Sequence, residues 1–153
     1  MNTGPRGVGG WLAFLVLSLT LFAPLRRLGD TATEFKKAEK SDASLLTDLR
    51  WSRYRHESCA IGSASAALSM TAGVRLWLIH RRNSVHFAIF ASWAMMPVAS
   101  HLDAVSIWAI YGPKDAAASL PRMLQSSLIS TLSAGLWTEY LMLSKRVRNT
   151  YSW

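Results

Sequence analysis

Four apolar stretches of near-membrane length leave this chain of 153 residues few folds to choose from. Residues 8–25 contain no ionisable side chain, and at ~1.5 Å rise per residue they reach about 27 Å, close to the thickness of a bilayer core. Residues 59–79, 85–104 and 122–143 follow. The last of these threads Ser126, Ser127, Ser130, Thr131, Ser133 and Gly135 through an apolar background. It holds one acid, Glu139, and stops at Lys145, Arg146 and Arg148. Small residues on one face and a basic cluster at the end are what a packed transmembrane helix needs. The expected fold is all-α, a four-helix transmembrane bundle forming a single domain over residues 1–153.

Charge fits that expectation. The net charge is +8, from 17 basic and 9 acidic residues, and the basic residues cluster beside the apolar runs. That placement points to lipid headgroups as the partner, and no nucleic-acid binding is expected. The single cysteine, Cys59, can form neither an internal disulfide nor a thiolate metal site by itself. The first stretch has the charged start and apolar core of a signal peptide. Its exit, PLRRLG, offers no small-x-small cleavage site, so it reads as an uncleaved first span.

Between the first two stretches, residues 26–57 hold eight basic and six acidic side chains and read as a polar loop. Within it, Ser41 or Asp42 is a candidate N-cap for a short amphipathic helix carrying Leu45, Leu46 and Leu49 on one side. Such a helix suits the membrane surface, with an ordinary solvated loop helix as the alternative. The second stretch has small residues four apart, Gly62 with Ala66 and Ser65 with Ser69 and Gly73. It ends at His80, Arg81 and Arg82 with a tight turn after them. Pro97 is expected to kink the third stretch. Gly112-Pro113 marks a loop over GPKDAAASLP before the fourth.

Four spans put both termini on one side, together with the turn at Arg81 and Arg82. Charge does not settle which side. Ten basic residues fall on the loops opposite the termini, against Arg6, Arg81, Arg82, Lys145, Arg146 and Arg148 on the terminal side.

Two contacts follow from depth. Small residues mark close seams in lipid, so Ser65, Ser69 and Gly73 are expected to face Ser127, Thr131 and Gly135. Arg75 lies six residues before Arg81, and Glu139 six before Lys145. Their matched depth makes them a candidate intramembrane ion pair, with snorkelling of Arg75 to the headgroups as the alternative. Glu57, His101 and Asp103 are further polar candidates at the membrane or its edge.

No catalytic, metal or cofactor signature stands out. His101 and Asp103 are two apart and point to different sides of a helix. The serines fall at helix-packing spacing without a base beside them. There is no phosphate-binding glycine motif.

The opening GVGGWLAFLVLSLTLFAPL and the closing YLMLSKRVRNTY, with Tyr140, Ser144, Lys145, Arg146, Val147 and Thr150, resemble the bacterial inner-membrane family called Domain of Unknown Function 2569. The segment HESCAIGSASAALSMTAGVRLWLIHRRNSVHFAIF is similar to that family's second span, basic turn and third-span start. Glu57 and Asp103 fall where the family carries acids. Glu139 and the turn residues Asn83, Ser84 and Val85 depart from its pattern. The resemblance implies a four-helix inner-membrane protein with cytoplasmic termini, and it brings no activity with it. The expected role is therefore non-enzymatic: an accessory or scaffold subunit, bound by membrane lipids and by a larger membrane protein or a second copy. A small oligomeric transporter or channel is the alternative, favoured by the ionisable groups within the spans.

Overall fold

The computed structural model describes residues 7–151. Arg6, counted above on the terminal side, lies outside them. Among the described residues there are five α-helices and no strand. Helix α1 runs Trp11–Ser41, α2 Leu49–Leu78, α3 Arg82–Tyr111, α4 Pro113–Leu143 and α5 Lys145–Thr150. Two of them, α1 and α3, are long and apolar enough to cross a membrane. Serines and threonines lower the hydropathy of α2 and α4.

All four long helices outrun their apolar stretches. At ~1.5 Å per residue each reaches about 45 Å, some 15 Å more than a bilayer core. The polar segment read as a loop is therefore helical. Residues 26–41 continue α1, and α2 begins at Leu49. Instead of an amphipathic surface helix there is a 3-10 turn, Ala43–Thr47, whose Leu46 is exposed. The caps explain where the helices break. Asp42 accepts from Ser44 N at 2.9 Å, and Asp48 accepts from Arg50 N at 2.8 Å, so each carboxylate satisfies an N–H that a helix start leaves unpaired. GPKDAAASLP is also helical, not a loop. Gly112, at φ 86°, turns the chain in a region few side chains tolerate, and Pro113 starts α4 at its first position.

Two π turns interrupt the long helices, Ser18–Phe22 in α1 and Ala94–Val98 in α3. The second contains Pro97, whose missing N–H forbids the regular ladder.

The helices pack in chain order, α1 on α2, α2 on α3 and α3 on α4. Small residues sit inside: Ala66, Ser69, Ala72, Ser84, Ala88, Ala91, Ser92 and Ala134 are buried. Large apolar residues point outward on every long helix, among them Leu21, Trp77, Phe90 and Leu132. In the two most apolar windows only 28% and 39% of the residues are buried, which is the reverse of a soluble core helix.

The small face of α2 is spent on α1, not on α4. Ser69 donates its hydroxyl to Leu19 O at 2.6 Å. At Gly73 an added Cβ would lie 3.0 Å from Thr20 N and 3.1 Å from Val16 O. On α4, Gly135 has nothing within 4 Å of such a Cβ, and Thr131 is exposed. The expected seam between α2 and α4 is therefore replaced by one between α1 and α2.

Candidate functional site, a serine-lined crevice

The space where that seam was expected is open. A crevice of about 630 Å³ lies among the four helices, with Ser65, Ala66 and Ser69 of α2 on one wall and Ser126, Ser130 and Ser133 of α4 on another. Both π turns border it, through Ser18 and Phe22 in α1 and Met95 and Met96 in α3. Local π turns re-aim side chains and recur at functional sites. Helices α1 and α4 touch at either end of it. The rings of Phe14 and Trp137 stand 6.2 Å apart at the terminal end, and Arg122 pairs with Glu34 at the other.

Charge is concentrated at that second end. Arg26, Arg27, Asp30 and Arg122 line it. Arg27 pairs with Asp103 of α3, tying α1 to α3, and both side chains are only partly exposed. Arg27 Nε and Asp103 Oδ1 are buried with no hydrogen-bond partner. Arg26 holds Asp30 at 3.4 Å one turn on, both well exposed. Asp103, singled out from sequence, thus has a partner that sequence reasoning missed. Arg27 ends the first apolar stretch at the depth where Asp103 ends the third, and that match was the available signal.

His101 Nδ1 lies 2.6 Å from Pro97 O. A carbonyl only accepts, so Nδ1 carries the proton and Nε2 is left as acceptor for Ser127 Oγ at 3.4 Å. This is a hydroxyl beside a base, but neither residue lines the crevice, and the contact serves to join α3 to α4. Trp93 adds to the same seam by donating to Thr138 Oγ1 at 3.0 Å. Glu57 pairs along its own helix with Arg53 at 3.0 Å.

Arg75 and Glu139 do not meet. Arg75 Cζ sits 4.6 Å from the centroid of the Phe87 ring, a cation–π contact with α3, and its Nε is buried without a partner. Glu139 is exposed on the outer face of α4 beside Leu136, Tyr140 and Leu143. Depth was matched, but α2 and α4 are not neighbours there. Among the described residues no group of three or more His, Cys, Asp or Glu side chains could hold a metal.

The family model described as "Protein of unknown function (DUF2569)" matches residues 5–152, nearly the whole chain. The chain belongs to the DUF2569 family. No curated protein and no solved structure matches it.

In this DUF2569 protein the opening and closing stretches that carry the resemblance lie against each other. Arg146 packs its guanidinium on Gly9 and Gly10, and a Cβ at Gly10 would come 2.6 Å from Arg146 Nη1. Gly7 N donates to Thr150 Oγ1 at 3.0 Å, and that hydroxyl donates to Arg146 O at 2.8 Å. Val147 is fully buried in the main core. Tyr140 meets Trp137 edge-on at 6.1 Å, Ser144 precedes α5, and Lys145 is exposed. Tyr151 closes the end of the bundle, donating to Leu76 O at 2.6 Å and stacking on His80 at 5.8 Å. Burial pushes its phenol up to about 12, so it remains a donor. The tail motif is thus a structural lock at the terminal end, remote from the crevice charges.

Proposed function

We propose that this DUF2569 protein is a four-span protein of the bacterial inner membrane with cytoplasmic termini, acting without catalysis as an accessory or scaffold subunit. The membrane reading is supported by the arrangement of side chains, small ones inside the seams and large apolar ones outside. Without water to expel between helices, close backbone contact holds a bundle together in lipid, while a soluble protein rarely leaves so broad an apolar surface bare.

One observation carries the accessory reading. The helices continue beyond the membrane-length portion as a polar helical head on the side away from the termini. Phe35, Trp51 and Tyr54 pack their rings 5.6–6.1 Å apart within it. Glu39 accepts from Trp51 Nε1 at 3.1 Å and from Arg55 at 2.9 Å, and these hydrogen bonds, Trp51 first, hold its carboxyl below the usual range. At the tip, Leu46 is 65% and Leu49 85% exposed. Two bare leucines on an ordered polar arm suit a contact with a larger membrane protein.

The test is affinity purification in mild detergent of wild type and of the Leu46→Asp, Leu49→Asp double variant. A stoichiometric partner with wild type that is lost from the variant, at unchanged thermal stability, is the expected result. Recovery of wild type alone would overturn the reading. The crevice favours a second reading, a small oligomeric transporter, which predicts a homo-oligomer instead.

A further inference from the structure

We propose that the crevice is a phospholipid site, holding an anionic headgroup at Arg26 and Arg122 and one acyl chain along Phe22, Met95, Met96 and Ile129. The proposal rests on the membrane reading above and is independent of the accessory role.

Charge at the mouth sets the headgroup. Three guanidiniums and one carboxylate line the crevice there. Arg27 is committed to Asp103 between two helices. The pairs of Arg26 with Asp30 and of Arg122 with Glu34 are exposed on both sides, and such pairs contribute little and exchange readily. A lipid phosphate can take the place of either carboxylate, since it too accepts two parallel N–H bonds from a guanidinium. Arg26 and Arg122 also stand where the apolar stretches of α1 and α4 end, the level at which headgroups lie.

The interior fits a chain. From Arg26 to Ser18 is eight residues and from Arg122 to Ser133 eleven, a depth of roughly 12–16 Å at the helical rise. Two of the wall hydroxyls are spent on backbone carbonyls. Ser130 donates to Ser126 O at 2.7 Å and Ser69 to Leu19 O at 2.6 Å, so an apolar chain beside them strands no donor.

The experiment uses the full chain in vesicles of phosphatidylethanolamine with a minor fraction of phosphatidylglycerol bearing a mid-chain diazirine. After illumination, adducts are mapped by mass spectrometry. Adducts are expected on Met95 and Met96 within the crevice as well as on outward residues such as Leu132 and Leu136. Ser130→Phe, which fills the crevice, should abolish the first set and spare the second. The Arg26→Ala, Arg122→Ala double variant should lower the crevice adducts about tenfold or more, the worth of a lost charge-assisted hydrogen bond. Lys114→Ala, outside the crevice, should not change them. Thermal unfolding confirms that each variant is folded. Adducts on outward residues alone would overturn the proposal and leave the membrane reading intact, whereas no adducts anywhere would overturn both. Cross-linking to a second protein chain, or full competition by soluble glycerophosphate, would also overturn it.

Discussion

Replacing Gly73 with leucine is expected to abolish the folded state, and alanine alone is expected to cost about 1–3 kcal/mol as overpacking at a close contact. The reason is backbone, not side chain. A Cβ there would run into Thr20 Oγ1 and lie 3.0 Å from Thr20 N and 3.1 Å from Val16 O. Thr20 has little freedom to turn away, because its hydroxyl donates to Val16 O at 2.7 Å. Relief therefore requires α1 and α2 to part, which breaks the 2.6 Å bond from Ser69 to Leu19 O one turn away. Gly135→Ala is the matched control. Nothing lies within 4 Å of its added Cβ, so it should be neutral or stabilising by up to ~1 kcal/mol through helix propensity. Thermal unfolding in detergent separates the two, and equal losses at both positions would contradict the seam between α1 and α2.

Tyr151→Ala is expected to release the tail. The ring is fully buried, and removing a core aromatic costs about 3–5 kcal/mol. Because the ring pins the short α5 to Leu76 of α2, the loss should fall on α5 before the rest of the bundle. Arg146 and Arg148 then become trypsin sites, cleaved roughly a hundredfold faster or more for about 3 kcal/mol of lost protection. Tyr151→Phe keeps the ring and loses one hydrogen bond to Leu76 O, so it should cost only about 1 kcal/mol. Indistinguishable cleavage of Tyr151→Ala and wild type would show that the tail is not locked.

The all-helical class and the family were legible because they rest on local pattern: apolar runs, a basic turn and a tail motif. Helix ends are not legible where polar composition suggests a loop. Residues 26–41 are charged yet helical, because they pack on the start of α2 through Phe35, Trp51 and Tyr54, a tertiary contact that no local window contains. Small residues announced close packing but not the partner. Gly73 fits against Thr20, and the serines of α4 border a crevice. The two charge pairings show the same limit. Arg75 and Glu139 share a depth but sit on helices that are not neighbours at that level, whereas Arg27 and Asp103 share a depth and do meet. Sequence gives how deep a charge lies, and neighbourhood decides whether it finds its partner.

The central claim, a membrane bundle with its head opposite its termini, is tested most directly by cysteine labelling in cells. Cys59→Ser removes the only native thiol, and a single cysteine is then placed at Leu46 in the head or at Lys145 in the tail, both exposed. A membrane-impermeant maleimide should label Leu46→Cys in intact spheroplasts and Lys145→Cys only after lysis. Labelling of Lys145→Cys before lysis, or of neither position until lysis, would contradict the account.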